Sequence, residues 1–418
     1  MRRKRRQRMK RNGEQNCREH ARILDHRRAK GKSTRAARIC AMAQILVLGA
    51  GMVGSAMIRD LAERHEVIAT DFSAQQLTQF DGNPSIRTQT LDCSDSAAVA
   101  SAVADVDLVV CAVPGFLGFE TLRTLIEAGK NVADISFFPE EALDLDRLAQ
   151  ERGVTIVTDI GVAPGLDNLI LGYHDASMTV NRFECLVGGL PVQRDFPFEY
   201  KAPFSPMDVV EEYLRPARLV ENGTEVVMPA LSEPEYMQFD GIGTLEAFNT
   251  DGLRSLIRTM PHIPHMREKT LRYPGHRDLM LAMREAGFLS DDPIKVNGQD
   301  VTPRQFTSAI LFDRWKLQPN EPEFTVMRVT VEGQENGVAV KHVWDLLDYT
   351  EQSSATSSMA RTTGYTCTAM AEAILDGSWN KPGVSPGEIV GRKAGLFEQI
   401  RNHLQDRNVR LIHQRLAL

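Results

Sequence analysis

The stretch LVLGAGMVGSAM, Leu46 to Met57, decides the fold. Its glycines Gly49, Gly51 and Gly54 stand in the spacing G-x-G-x-x-G, a pattern common by chance that gains meaning from its flanks. Before it, Ile45-Leu46-Val47-Leu48 is apolar and β-prone, as in a strand buried on both faces of a parallel sheet. After it, Val53, Ala56, Met57, Leu61 and Ala62 recur at helical spacing. Glu66-Val67-Ile68-Ala69-Thr70 then reads as a second strand that ends at Asp71. The glycines therefore open a helix inside a β-α-β unit.

In that setting each glycine has a task. Gly49 permits the tight turn, Gly51 lets a pyrophosphate approach the backbone, and Gly54 lets helix and strand pack closely. The helix start at Met52 and Val53 offers unpaired N–H groups to phosphate oxygens. Asp71, 20 positions after Gly51, is set to accept hydrogen bonds from ribose hydroxyls and to repel a 2′-phosphate. Phe72, Ser73 and Ala74 supply no cation there. The expected cofactor is NAD rather than NADP.

At 418 residues the chain exceeds one ordinary core, so more than one domain is expected. A hydrophobic share of 42% with 25% charged residues is that of a globular protein, and no apolar run approaches a membrane span. The six cysteines are scattered without a C-x-x-C pair, which argues against a disulfide framework or a zinc site. His262 and His265 sit in a proline-broken MPHIPH that reads as a loop, and no metal is expected. Residues 1–41 hold 16 of the 49 basic and 3 of the 55 acidic side chains, a net of +13 that leaves −19 for the rest. This basic arm reads as a disordered extension, from a start misplaced upstream of Met42 or as a nucleic-acid-binding tail. The acidic remainder makes nucleic acid an unexpected partner for the folded part.

The β-α alternation continues beyond Asp71. SIRTQTLDC reads as a strand ending near Asp92 and Cys93, with Ser94 or Asp95 capping the next helix. DLVVCAV is a fourth strand, broken by PGFLGF before the helix ETLRTLIEAG; NVADIS is a fifth, and VTIVTDIG leads to the break VAPGLDN. Parallel strands joined by helices put their C-terminal ends on one edge, where ligands bind. Gly49 to Gly54, Asp71, Asp92, Cys93, Val113, Pro114, Gly115, Asp134, Ser136, Phe137 and the loop Ala163 to Asn168 should therefore converge. Pro114 and Gly115 leave room for a nicotinamide. Asp134 and Asp167 are the ionisable groups on the substrate side, unless each only caps a helix or fixes a loop.

From about Arg182 the pattern changes. FECLVGGLPV reads as a strand with a Gly-Gly-Leu-Pro turn. SPMDVVEEYLRPARLVENG reads as a helix from Pro206 capped by Ser205, then a strand. Short segments between 220 and 350 suggest a mixed sheet with helices. In Ser353–Gly377, Met359, Thr363, Cys367, Met370, Ala371 and Ile374 form a stripe of helical period. The expected architecture is α/β: a Rossmann-type doubly wound parallel sheet over 42–165, an inserted α+β substrate and dimerisation domain over 166–350, and C-terminal helices over 351–418 that return to the first domain.

Taken in order, VLGAGMVG, PGFLGF, DISFFPE, GVAPGLDN, VGGLP, FSPMDVVEEYLRPARL, EAFNTDGLRSL, KTLRYPGH and ARTTGYTCTAMAEAILDG resemble the saccharopine dehydrogenase family, including saccharopine reductase and lysine 6-dehydrogenase. They span about residues 43 to 390. The resemblance implies an amino-acid substrate and a pyridine nucleotide. PGFLGF, DISFFPE and RPARL look most like lysine 6-dehydrogenase. Saccharopine reductases usually show Ser-Tyr at Ser136-Phe137 and Asp-Pro-Gly at Ala163-Pro164-Gly165, and this chain departs from both.

With lysine as the implied substrate, the ε-ammonium must lose a proton before hydride can leave C6. Its free pKa is about 10.4, so the site must supply a base. Asp134 is the first candidate and Asp167 the second. The α-carboxylate needs a cation: Arg272 in TLRYPGH, able to grip it bidentately, or Lys201 in EYKAPFSP, with Tyr200 or Tyr273 adding a hydrogen bond. Arg272 alternatively makes only a surface ion pair. Glu246 and Asp251 are placed to hold the α-ammonium or to shape a turn. The expected function is NAD-dependent oxidative deamination of the lysine ε-amine. A saccharopine-type reaction on a secondary amine is the alternative, and a non-catalytic nucleotide-binding or nucleic-acid-associated role is a further one. A cytoplasmic homodimer is expected.

Overall fold

The computed structural model describes residues 42–318 and 320–418. The basic arm, and with it the reading of a disordered or nucleic-acid-binding tail, lies outside the described residues. β1 (Gln44–Leu48) is the apolar run before the glycines, and Ile45, Leu46, Val47 and Leu48 are fully buried. The helix Met52–Leu61 follows, then β2 (Glu66–Asp71), β3 (Ile86–Thr90), β4 (Leu108–Cys111), β5 (Val132–Asp134) and β6 (Thr155–Thr158). Asp95 caps the helix Ser96–Ala102 by accepting from the N–H groups of Ala97 and Ala98. The Gly115–Glu127 helix begins inside PGFLGF, one turn earlier than the sequence suggests. Pro114 stands before its first residue, where the absent N–H costs nothing.

The chain then builds a second sheet from β7 (Thr179–Pro191), β8 (Ala217–Glu221), β9 (Thr224–Met228), β10 (Glu235–Phe239), β11 (Gly243–Asn249) and β12 (His265–Arg272). The small hairpin β13 (Ile294–Val296) and β14 (Gln299–Val301) stands apart. The long strands β15 (Glu323–Glu335) and β16 (Val338–Tyr349) complete the run. After the buried helix Ser358–Leu375, β17 (Gly383–Pro386) joins the first sheet and β18 (Leu411–Ala417) the second.

The first sheet has the order β17-β6-β5-β4-β1-β2-β3, with every pair parallel. Strand order reverses at β1, between β2 and β4, and that is where a doubly wound sheet opens a crevice at its carboxyl edge. The second sheet is mixed: β7 and β12 run parallel, while β7–β15, β15–β16 and β16–β18 are antiparallel. Its core gathers Phe248, Tyr213, Trp315 and Leu271, whereas the core of the first sheet gathers Leu46, Leu48, Val109 and Ile156. The Ser358–Leu375 helix packs on the Met52–Leu61 helix, and Thr368 donates to Asp60 there. Among the described residues, no helix is long and apolar enough to cross a membrane.

Two local expectations are corrected. Gly188 and Gly189 form no turn but lie inside β7. A Cβ on Gly188 would lie 2.5 Å from the Leu271 carbonyl oxygen, and one on Gly189 would lie 2.7 Å from Met359, so both residues allow close approach across the sheet. The segment after residue 350 does not serve the first sheet alone, because β18 pairs with β16. Its sequence LIHQRLA is exposed along nearly its whole length and has no buried apolar face, the signal that would have marked it as a strand.

Candidate functional site

A cavity of about 410 Å³ lies where the carboxyl edge of the first sheet meets the face of the second. Gly49 holds φ at +96°, and a Cβ on Gly54 would sit 2.0 Å from the Gly49 carbonyl oxygen, so the turn into the Met52–Leu61 helix closes only with glycine at both places. Gly51 differs: a Cβ there meets nothing within 4 Å and points into open space. The helix start has no side-chain cap and no acidic residue in its first turn. Its N–H groups are thus available to an anion beside Gly51, and these residues fit a pyrophosphate. Asp71 lines the same cavity, its two oxygens accepting from the Ala50 and Ser73 N–H groups at 2.8 Å each. Each oxygen keeps a lone pair for a ribose hydroxyl.

Of the site residues expected from sequence, Gly49, Gly51, Met52, Val53, Gly54, Asp71, Val113, Pro114, Phe137, Ala163, Pro164, Asp251 and Arg272 line the cavity. The other site candidates do not. Gly115 packs its helix start against the Phe137 carbonyl, 2.2 Å from where a Cβ would stand. Asp92 accepts from the backbone and hydroxyl of Ser94, and Cys93 follows it outside the cavity. Asp134 is fully buried, accepts from the Ser136 N–H at 3.1 Å, and is pushed up to about 7 by burial. Ser136 is itself buried against Cys111. Asp167 accepts from the Gly165 N–H at 2.8 Å and is likewise raised to about 7 by burial. Lys201 donates to the Arg314 carbonyl at 3.1 Å. Glu246 accepts from the Gly275 N–H at 3.2 Å, the turn-shaping alternative. Tyr273 donates to the Pro191 carbonyl. Tyr200 lies beneath Arg272, whose guanidinium stands 4.5 Å from its ring centre.

The wall opposite the glycine turn carries groups that the sequence reading missed. Along β12, Glu268, Thr270 and Arg272 all line the cavity, as side chains two residues apart on one face of a strand must. The alternation was present in EKTLR. The quoted motif began one residue after the glutamate, and Glu268 could have been found by that period. Asp159, Asp208 and Glu212 join them from loops and the helix Pro206–Glu212. Asp159 pairs with Arg254 at 2.9 Å, and Asp251 accepts three hydrogen bonds from Arg218, two from its guanidinium at 2.8 and 2.9 Å and one from its backbone N–H at 3.2 Å.

Arg272 donates to the Tyr213 hydroxyl, to the Leu271 carbonyl and to Glu212 at 3.3 Å. Three of its five N–H groups are engaged, so donors remain for a further carboxylate. Burial pushes Glu212 up to about 7 against the pull of Arg272, and pushes Asp208 to about 6 against Ser205. Glu268 is 6% exposed and its Oε2 is buried without a hydrogen-bond partner. The acid groups of this wall thus outnumber its one arginine, and burial holds several of them ready to gain or lose a proton near neutrality.

Two family models match the chain: the saccharopine dehydrogenase NADP binding domain over residues 45–157 and the saccharopine dehydrogenase C-terminal domain over 161–409. The chain belongs to the saccharopine dehydrogenase family. Saccharopine dehydrogenase (NADP+, L-glutamate-forming) of Schizosaccharomyces pombe is 27% identical over 265 residues, 60% of this chain and 59% of that protein. The chain thus spans less than two thirds of the length of this relative. Carboxyaminopropylagmatine dehydrogenase of Synechocystis is 20% identical over 370 residues, 82% of this chain and 92% of the relative. The apo structure of the histidine-tagged saccharopine dehydrogenase (L-Glu forming) of Saccharomyces cerevisiae matches with a TM-score of 0.73 and 21% identity. It covers 90% of this chain and 100% of that one, a likeness of fold. The family resemblance and the Rossmann-type sheet expected from the glycine turn hold.

Proposed function

We propose that the chain is an NAD-dependent amino-acid dehydrogenase that oxidises the ε-amine of L-lysine to an imine, which water then hydrolyses to the semialdehyde and ammonia. One observation carries this: the cavity that begins at the Gly51 turn ends on a wall with Asp208, Glu212 and Glu268 beside its single lining cation Arg272, while Asp159 and Asp251 are paired with Arg254 and Arg218. Such a wall suits a substrate with two ammonium groups and one carboxylate better than saccharopine, which has three carboxylates. Gly49 to Gly54 and Asp71 would hold the dinucleotide, with Val113 and Pro114 leaving space beside it. When bound, the nicotinamide accepts the hydride from the amine-bearing carbon. The remaining guanidinium donors of Arg272 orient the α-carboxylate. Around it, Tyr200 and Tyr213 exclude water from that end.

NAD is preferred over NADP in this reading because Asp71 faces the ribose position, although the S. pombe relative is named for NADP+. A second reading, a secondary amine with a cationic tail, is supported by the Synechocystis relative that aligns over most of both chains. A homodimer is supported by the edge strand β18, where Ile412, Leu416 and Leu418 are exposed. The free cysteines Cys93, Cys111, Cys185 and Cys367 suit a reducing, cytoplasmic setting.

The test is a substrate panel followed by NADH or NADPH absorbance, comparing lysine, ornithine, saccharopine and carboxyaminopropylagmatine. Lysine with NAD should give the highest kcat/KM. Turnover of saccharopine but not lysine would reject the substrate, and turnover with NADP alone would reject the role of Asp71. Removing residues 1–41 should leave turnover intact, whereas a nucleic-acid-associated role would depend on them.

A further inference from the structure

We propose that Glu268 is the base that takes the proton from the substrate amine, an assignment that rests on reading the cavity as an amine-oxidising site. Neither base candidate from sequence, Asp134 or Asp167, lines the cavity, whereas Glu268 does. On β12 it stands four residues before Arg272 on the same face, about 13 Å away along the backbone. Two long side chains rising from those points can bracket a short amino acid, with its carboxylate at the arginine and its far amine at the glutamate.

The surroundings of Glu268 fit that task. Its Oε2 is buried and has no hydrogen-bond partner. A Cβ on Gly252 would lie 2.0 Å from its carboxyl carbon, so the backbone closes directly over the group. From the helix Leu166–Asp175 comes Asp167 and from the neighbouring strand Cys185; the side-chain tips of these two and of Glu268 lie within 4.8 Å of one another. Glu212 and Asp251 face it with further negative charge, and Arg254 with positive charge already committed to Asp159. Burial first, and then Asp167, Glu212 and Asp251, hold the Glu268 carboxyl well above its usual range, against Arg254.

Burial and these neighbouring carboxylates therefore favour the protonated form of Glu268 in the free protein. An arriving ammonium stabilises the carboxylate, so binding expels that proton to solvent. The transfer follows: an N–H bond of the ammonium breaks, an O–H bond forms on Glu268, and the nitrogen keeps the electron pair it needs to form the C=N bond. For each Glu268 that starts protonated, one proton leaves when lysine binds, whichever of the two groups holds the shared proton afterwards.

Calorimetry of lysine binding to the full chain saturated with NADH, in buffers of different ionisation heat at pH 7, reads that proton directly. Wild type should release protons as lysine binds. E268Q should release clearly fewer, the remainder coming from neighbours such as Glu212 and Asp208, with NADH affinity unchanged. Its kcat/KM should fall about 10²–10³-fold near neutrality. What remains should climb about tenfold per pH unit towards the free amine pKa of about 10.4. E268D should restore part of the proton release, and it serves as the readout if E268Q folds poorly. A wild-type protein that oxidises lysine but releases no proton on binding it, or an E268Q variant with the wild-type pH profile, overturns the assignment and leaves the functional reading standing. If lysine neither binds nor is oxidised, the functional reading fails and takes the assignment with it.

Discussion

Gly51 and Gly54 lie three residues apart in one turn, yet the structure separates their roles, and alanine at each should give opposite results. At Gly54 the added methyl carbon would stand 2.0 Å from the Gly49 carbonyl oxygen, a backbone atom that cannot swing aside. Overpacking of that kind costs about 3 kcal/mol. With an unfolding entropy of about 2.1 cal/mol/K per residue over the compact unit Gln44–Leu418, that is a fall of roughly 4 °C in Tm. At Gly51 the methyl meets nothing within 4 Å. The weak N-cap penalty of alanine is offset by the entropy that glycine loses on folding, each about 0.5–1 kcal/mol. The Tm of G51A should therefore stay within about 1 °C of wild type. Its methyl, however, occupies the path of the pyrophosphate. Losing one charge-assisted hydrogen bond, about 1.5–3 kcal/mol, raises the Kd for NADH at least about tenfold. Scanning calorimetry and NADH fluorescence titration measure both quantities. A G51A protein that binds NADH as tightly as wild type, or a G54A protein that melts with it, would refute the reasoning.

Asp71→Asn removes the charge facing the ribose position while keeping an acceptor for the Ala50 N–H, so the ratio of NADPH to NADH affinity should rise at least about tenfold by titration. Arg254→Ala leaves Asp159 buried without its partner and also deprives the Phe138 carbonyl of a donor. A loss of about 3–5 kcal/mol is expected in denaturant unfolding. Asp134, raised to about 7 in the folded chain, binds its proton more tightly than when unfolded. Its contribution is present below its ordinary carboxylate range and is lost as pH rises through about 7. Asp134→Asn, which mimics the protonated form, should therefore gain stability relative to wild type as pH rises from 4 to 8 in melting curves. Light scattering should return twice the chain mass, and Ile412→Glu with Leu416→Glu on β18 should halve it.

Much of the first sheet was legible because each strand carries its own signal. The fully buried run of β1, the glycine turn and the acid at the end of β2 lie within 28 residues, and local physics alone fixes their arrangement. The cofactor half of the cavity follows from that stretch, and Asp71, Val113 and Pro114 came with it. The substrate wall was less legible. Lys201 and Glu246 are the right kinds of residue in the right region, but one turns to the Arg314 carbonyl and the other to the Gly275 N–H. Those choices depend on contacts with residues 113 and 29 positions away, which no local period records. Asp134 and Asp167 do stand at element ends near the edge, yet the Ser136 and Gly165 N–H groups fold their carboxylates into the protein. Glu268 had a signal in the alternation of β12, but its lack of a partner is visible only in three dimensions.

The crystal structure of the chain with NAD and lysine bears most directly on the whole scheme. The expected map has the pyrophosphate over the backbone at Gly51 to Val53, ribose hydroxyls on Asp71, the lysine carboxylate on Arg272 and its ε-nitrogen within hydrogen-bond reach of Glu268. Density for the dinucleotide away from the first β-α turn, or for lysine bound in the reverse direction with its carboxylate beside Glu268, would contradict it.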